Sequence, residues 1–383
     1  MRGYMLKSVK YLCLQATEQG QASYAHVHEI INGLKKRDWQ IELYEPYYEK
    51  KNGNSVAWWR RAIQFIKVQK QLMQNCKETD ILYVRSHFAA FPIALWAKIR
   101  GTPFIQEING PYEDLFLAWP WTRYFSCIFK WMMRKQWQWA NACIAVTPSL
   151  AEWVKNETCI SEVHIIPNGA NIDLFKPSAH CNYELPQKYV IFFGAMAVWQ
   201  GLDIILQAME LSYWPSELSF VACGDGPDRP LIEDALQKDE RIIYLGSLEY
   251  MDIPGIVCHS LAGLIPKNDK GNRVATGLYP LKLFETLSCG VPVIVTDFPG
   301  QADIVRDNSC GIVIPADDPH ALAQAVNYLY NNPSKAQEMG QRGRYIVEQE
   351  FSWDRMAEHT GNVLAMVIEE ALNYHKNKNK VFL

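Results

Sequence analysis

Short apolar runs and longer amphipathic runs alternate along the whole chain. Residues 8–15, 41–44, 81–85, 104–108, 142–147 and 163–166 read as strands, rich in Val, Ile, Leu and Tyr and bounded by polar or turn-forming residues. Residues 190–193, 218–222, 242–245, 263–266, 291–296 and 311–315 repeat the pattern. Between them, stretches such as 23–36 and 55–75 place apolar residues at helical spacing, and helices run on to about residue 376. Strand and helix in strict alternation predict an α/β protein with parallel sheets. The rhythm breaks at residues 167–177, whose Pro, Asn and Gly content reads as ordered turns at a domain border. The expected layout is a domain over 1–180, a second over 181–360, with a linker near 177–187, and a closing segment over 361–383.

Residues 271–305 carry the densest pattern. Pro280 suits the first turn of a helix. Leu283, Phe284 and Leu287 fall on one helical face. Gly290 stands where a helix end needs positive φ, and 291–296 reads as a buried parallel strand. Lys282 and Glu285 interrupt this apolar logic and share a face, one helical turn apart. A cation beside a helix N-terminus is disfavoured unless an anion is present. A phosphate there would satisfy both the lysine and the free N–H groups. A carboxylate one turn on can accept hydrogen bonds from a ribose diol. The same spacing also fits an exposed helical ion pair, worth about 0.3–0.5 kcal/mol.

Composition narrows the class. The chain has 383 residues, is 49% hydrophobic and carries a net charge of −3, which suits two globular domains and argues against nucleic acid as the main partner. Charge is uneven: 22 Lys and Arg face 16 Asp and Glu over residues 1–184, against 16 and 25 over the remainder. A basic first half points to an anionic surface or substrate on that side. The 10 cysteines are scattered without a Cys-x-x-Cys, as expected for reduced thiols and not for a disulfide framework or a zinc site. Residues 1–18 show no signal-peptide pattern, and no apolar run is long enough to span a membrane. The expected location is cytoplasmic, at the inner face of the membrane. Residues 55–75 and 119–139 are both basic and rich in Trp and Phe. Each fits a surface helix whose apolar face covers the sheet, and each also fits a helix lying on an anionic membrane.

The run Pro280-Leu-Lys-Leu-Phe-Glu-Thr-Leu-Ser-Cys-Gly-Val-Pro-Val-Ile resembles the donor-site signature of the family-4 retaining glycosyltransferases. Pro167-Asn-Gly, Gly224-Asp-Gly-Pro and Gly246-Ser-Leu resemble other turns of that family in the same order, and the likeness covers nearly the whole chain. It implies the GT-B fold: two Rossmann-like domains facing across a cleft, with a C-terminal helix crossing back to the first. It also implies retaining transfer of a hexose-type sugar from a nucleotide-sugar donor to a glycan or lipid-linked acceptor. No Asp-x-Asp occurs, so metal-independent catalysis is expected, with the donor as substrate and no metal or further cofactor. Lys282 and Arg273 would stabilise the leaving diphosphate and Glu285 would hold the ribose. The donor site implied by the resemblance also takes in Gly20, Gly194, Gly224 and Leu248. From the core motif it takes Gly277, Leu278, Tyr279 and Leu281.

Several positions depart from the family pattern. Gly277 stands where a first Glu is usual, and Ala195 and Gln200 replace two cations that grip the diphosphate. Asn109 takes the place of a His and cannot act as a base. Residues beyond the carboxyl ends of strands in the first half, His87, Glu107, Asn109 and Glu113, are the acceptor-side candidates. His26 and Glu29 match a family motif and read as structural. An epimerase on the same fold, or a nucleotide-binding partner without turnover, are the other readings. A nicotinamide dehydrogenase is disfavoured, because no Gly-x-Gly-x-x-Gly opens either half.

Overall fold

The computed structural model describes residues 7–17, 22–48, 56–77, 80–269 and 274–381. It forms two α/β units. One takes the chain up to Thr17, Val27–Ile166 and the stretch from Ala357; the other takes the piece ending at His26 and Pro167–Met356.

The first unit runs β1 (Lys7–Leu12), α1 (Ala22–Lys35), β2 (Trp39–Tyr44), α2 (Trp58–Asn75), β3 (Ile81–Arg85) and α3 (Phe91–Arg100). It continues with β4 (Phe104–Ile108), α4 (Glu113–Ala118), a 3-10 segment Pro120–Phe125, α5 (Ser126–Trp139), β5 (Ala142–Ala145), α6 (Pro148–Thr158) and β6 (His164–Ile165). The six strands pair in the order β2-β1-β3-β4-β5-β6, all parallel. Every residue of β4 is buried, as a strand covered by helices on both faces must be.

The second unit runs β7 (Tyr189–Phe193), α7 (Leu202–Met209), β8 (Ser219–Cys223), α8 (Arg229–Leu236), β9 (Ile242–Tyr244) and α9 (Ile253–Val257). Then follow β10 (Gly263–Ile265), α10 (Leu281–Ser288), β11 (Val293–Thr296), α11 (Gln301–Asn308), β12 (Gly311–Ile314), α12 (Pro319–Asn331) and α13 (Pro333–Glu350). Its strand order is β12-β11-β10-β7-β8-β9, again all parallel. Phe192, Phe220, Leu264 and Ile294 lie in one core cluster between sheet and helices.

The last helix, α14 (Trp353–Val381), belongs to the first unit from Ala357 onward. Its Gly361 lies against Leu34 and Trp39, where a Cβ would stand 3.3 Å from each. Leu364 and Val367 are fully buried.

Local chemistry moves a few boundaries from their expected places. Pro280 caps α10 from outside instead of lying in its first turn. Strand β11 begins at Val293, two residues later than expected, because Pro292 has no N–H for the ladder. Gly290 does close the helix, at φ 72°. Residues 167–177 fall within the second unit, short of the expected border at 180. The Ala170 N–H donates to Phe351 O at 2.9 Å. The Arg344 guanidinium donates to the carbonyls of Ile172 (3.1 Å) and Phe175 (2.7 Å). These bonds tie the turns to α13.

Candidate functional site

In the second sheet the chain winds outward in one direction through β7, β8 and β9, and in the other through β10, β11 and β12. The reversal lies between β7 and β10. Open α/β sheets bind ligands beyond the carboxyl ends of the strands at such a point. The loops that leave β7, β8, β9 and β10 all emerge at that edge, and α10 starts after the β10 loop.

Lys282 sits in the first turn of α10 and is only 8% exposed. Its ammonium lies 4.0 Å from the centroid of the Phe192 ring and donates to Gln200 Oε1 at 3.3 Å. Gly194, at the end of β7, stands directly beside it: a Cβ there would meet Lys282 Cε at 3.7 Å and Nζ at 3.8 Å. Burial pushes the Lys282 pKa well below the ordinary lysine value; the like charge of Lys267 adds to this and Glu285 opposes it. A buried lysine beside a second cation gains from an arriving anion. Gln200 thus occupies a place the resemblance reserved for a cation, and it serves as an acceptor for Lys282.

Glu285, one turn further, is 4% exposed. Its Oε1 accepts from the Tyr250 hydroxyl at 2.8 Å. Tyr250 lies in the loop after β9 and its ring rests on Phe175, with centroids 5.3 Å apart. Lys282 and Glu285 are therefore not an exposed ion pair. They are two buried ionisable groups on successive turns, held by side chains from other elements.

Two glycine-dependent contacts bring the neighbouring loops together. A Cβ on Gly224, at φ 136°, would stand 1.9 Å from Gly194 O, and the Gly194 N–H donates to Cys223 O at 2.9 Å. The Gly224 N–H donates to Gly246 O at 2.8 Å, which links the β9 loop to the same edge. Leu248 of that loop is partly buried beside a core cluster that includes Phe175 and Tyr189.

The other residues of the core motif hold the backbone in place. Gly277 has φ 74°, a left-handed conformation that glycine takes without strain. The Leu278 N–H donates to Pro299 O at 2.9 Å. Tyr279 O accepts from Asn168 Nδ2 at 2.7 Å, and its ring packs edge-on against Phe284. Leu281 is buried. Asp303 accepts from the Gly300 N–H at 2.7 Å, fixing the turn before α11. Gly20 and Arg273 lie outside the described residues.

Comparison with known proteins gives the family. Residues 25–174 match the model of Glycosyltransferase Family 4, and residues 187–332 match that of Glycosyl transferases group 1. The chain is a family-4, group 1 glycosyltransferase. An uncharacterized glycosyltransferase of Methanocaldococcus jannaschii is 23% identical over 346 residues, covering 86% of this chain and 90% of that protein. Alpha-maltose-1-phosphate synthase of Mycolicibacterium smegmatis is 24% identical over 335 residues, covering 78% and 82%. Among solved structures, sucrose-phosphate synthase from Thermosynechococcus elongatus superposes with a TM-score of 0.76 at 14% identity, covering 95% of this chain and 100% of that one. Anabaena HepE in complex with UDP-glucose gives a TM-score of 0.68 at 14% identity, covering 94% and 99%. The fold is GT-B.

In the first unit of this glycosyltransferase, Glu107 anchors a buried network. Its carboxylate accepts from the Tyr11 hydroxyl at 2.8 Å, from the Arg85 guanidinium at 2.5 Å and from Asn109 Nδ2 at 2.6 Å. A carboxylate so engaged, and 1% exposed, ties the ends of β1, β3 and β4 together. His87 stands apart from that network. Its Nδ1 accepts from the Ala89 N–H at 3.2 Å and its ring stacks on Phe88 at 4.5 Å. Burial lowers its pKa to about 4. Glu113 pairs with Lys130 at 3.3 Å. His26, read as structural, is buried, 2.9 Å from Asn168 Oδ1 and edge-on to Trp353.

Sequence reasoning passed over Tyr250 and the acceptor role of Gln200. Tyr250 is 35 residues from Glu285 in the chain. Its only sequence signal is its position in a loop just after a strand, the place where functional groups of such sheets gather.

Proposed function

We propose that this glycosyltransferase moves a hexose-type sugar, with retention, from a nucleotide-sugar donor to a glycan or lipid-linked acceptor. The observation that carries the reading is the pair on α10: a buried lysine awaiting an anion, and a buried carboxylate one turn away held by Tyr250. The UDP and UDP-glucose complexes of Anabaena HepE support a nucleotide-sugar donor for this fold.

In this reading Glu285 accepts from the ribose hydroxyls, and Tyr250 holds the carboxylate in the receiving rotamer. That fixes the anomeric carbon relative to the phosphates. Lys282 neutralises the diphosphate as its bond to the sugar breaks, the main electrostatic task of the reaction. Arg273 is the second cation proposed on sequence grounds. A diphosphate oxygen leaving on the face that the acceptor hydroxyl attacks takes up its proton, which yields retention without a protein base. The lack of an Asp-x-Asp sequence supports catalysis by these cations without a metal. We place the acceptor on the first unit, near Asn109 and Glu113.

The test is a thermal-shift panel of UDP, GDP, ADP and dTDP on the wild type and Glu285→Ala. A ligand of the folded state raises Tm by mass action. One nucleotide should stabilise the wild type and leave Glu285→Ala unmoved. No shift with any of the four overturns the donor site. The departures at Gly277, Ala195 and Gln200 favour a second reading, a nucleotide-binding partner without turnover. Donor binding without release of nucleotide, across a panel of glycan and lipid-linked acceptors, would select it.

A further inference from the structure

Helix α2 is apolar on both sides. Val68 and Leu72 face the core, while Ile63 and Ile66 are 56% and 68% exposed on the opposite side. Trp59 lies one turn before Ile63 on that outer stripe, and Lys70 one turn after Ile66. An amphipathic helix on a globular domain leaves a polar outer face; this one interleaves Trp59, Ile63 and Ile66 with Arg60, Lys67 and Lys70 there. The 3-10 segment and α5 repeat the feature, with Trp121 54%, Tyr124 88% and Trp131 51% exposed.

These elements form one surface of the first unit. Helix α3 packs against both α2 and α5. The Arg61 guanidinium reaches from α2 to lie 5.3 Å from the Trp119 ring at the start of the 3-10 segment. Phe91 of α3 meets Trp131 of α5 at 5.3 Å. Ile99 of α3, 75% exposed, extends the apolar character between them.

Charge identifies the occupant. Residues 56–77 carry Arg60, Arg61, Lys67, Lys70 and Lys77, and residues 119–139 carry Arg123, Lys130, Arg134 and Lys135, with no Asp or Glu in either stretch. The acidic groups that meet this surface come from flanking elements: Glu113 on Lys130 and Glu157 on Arg134. A second copy seated face to face through a two-fold axis would set these bases against their own counterparts. Exposed Trp and Tyr interleaved with Lys and Arg suit the headgroup layer of a bilayer, where amphipathic rings and cations both find partners. Among the described residues no helix is long and apolar enough to cross a membrane, so contact of this kind lies in the plane.

We propose that the face built by α2, the segment Pro120–Phe125 and α5 docks onto an anionic lipid bilayer. Ile63, Ile66 and Tyr124 enter the headgroup boundary, and Arg60 and Lys67 meet lipid phosphates. The proposal stands apart from the donor-site reading, because none of these residues lies in the second unit.

The experiment is flotation of the full chain with phosphatidylcholine vesicles, with and without phosphatidylglycerol, at low and high salt. The wild type should float only with phosphatidylglycerol vesicles and be released by salt. The Ile63→Glu/Ile66→Glu double variant should stay at the bottom with an unchanged Tm and an unchanged nucleotide shift. Arg60→Glu/Lys67→Glu should weaken vesicle affinity in a lipid titration by roughly fivefold or more per site. Flotation undiminished in both variants overturns the proposal, as does a wild type that floats with neither vesicle. A concentration-dependent dimer in light scattering, lost in Ile63→Glu/Ile66→Glu and unaccompanied by vesicle binding, would assign the face to a second copy instead.

Discussion

Replacing Lys282 by Met separates what the lysine costs the fold from what it does for a ligand. Met fills a similar volume beside Phe192 and carries no charge. Wild type keeps a buried ammonium whose neighbours include Gln200 Oε1 at 3.3 Å and the Phe192 ring at 4.0 Å. Burying a charge with incomplete compensation costs about 1–3 kcal/mol or more. The cation–π contact returns up to about 2 kcal/mol, but a Met sulfur on the same ring returns about 0.3–1.5 kcal/mol. The exchange therefore favours Met by about 1–2 kcal/mol in the ligand-free protein. For a unit of this size that corresponds to a Tm rise of about 2–8 °C. The sign of the pH dependence follows from the depressed pKa. Between the folded value and the unfolded value near about 10.4 the unfolded chain binds the proton and the folded chain does not, so stability rises with pH. Below the folded value the penalty is fully present. Lys282→Met should abolish that rise. It should also lose the charge-assisted contact with the diphosphate, worth about 1.5–3 kcal/mol, and weaken nucleotide binding by about 10- to 100-fold. Differential scanning fluorimetry across pH, with and without nucleotide, reads all three effects. A Lys282→Met protein that melts several degrees lower without ligand, or binds nucleotide as tightly as wild type, would refute the argument.

Three further outcomes follow from the same geometry. Tyr250→Phe removes one hydrogen bond to the Glu285 carboxylate; donor affinity in calorimetry should fall about 5- to 30-fold, at roughly 1–2 kcal/mol, with Tm changed by little. Gly224→Ala puts a Cβ 1.9 Å from Gly194 O at φ 136°; it should destabilise the second unit by about 3 kcal/mol or more, visible as a large Tm loss or insoluble protein. Gly277→Glu restores the side chain typical of the family at a position with φ 74°; the left-handed backbone should cost about 1–2 kcal/mol, and turnover in a nucleotide-release assay should not improve.

The parts of this protein that were legible in its sequence are those decided locally. Gly290 announces a helix end because only a residue free of Cβ strain takes φ 72° cheaply. The runs at 104–108 and 190–193 announce strands, and both faces of each are covered, so alternation disappears. Lys282 and Glu285 were visible as a pair because helix geometry fixes what lies one turn away. What was not legible depends on pairing between distant segments. Nothing near Glu107 in the chain states that Tyr11 and Arg85 will converge on its carboxylate. Nothing near Glu285 points to Tyr250. For α2 the apolar count was readable but its distribution was not: with apolar residues on both sides, the helical period does not say which stripe meets the core.

The late placement of the C-terminal helix sets an order on synthesis. Thr360 and Gly361 complete the surroundings of Leu34, Trp39 and Tyr83, residues made roughly three hundred positions earlier. While the ribosome is still translating the second unit, the first waits with that apolar surface bare. The usual advantage of vectorial folding, in which the leading domain is finished first, is reversed here. Loss of α14 would thus injure the unit made first and leave the strands and helices of the second through α13 in place. A nascent chain of this kind has most need of a holding chaperone before α14 emerges.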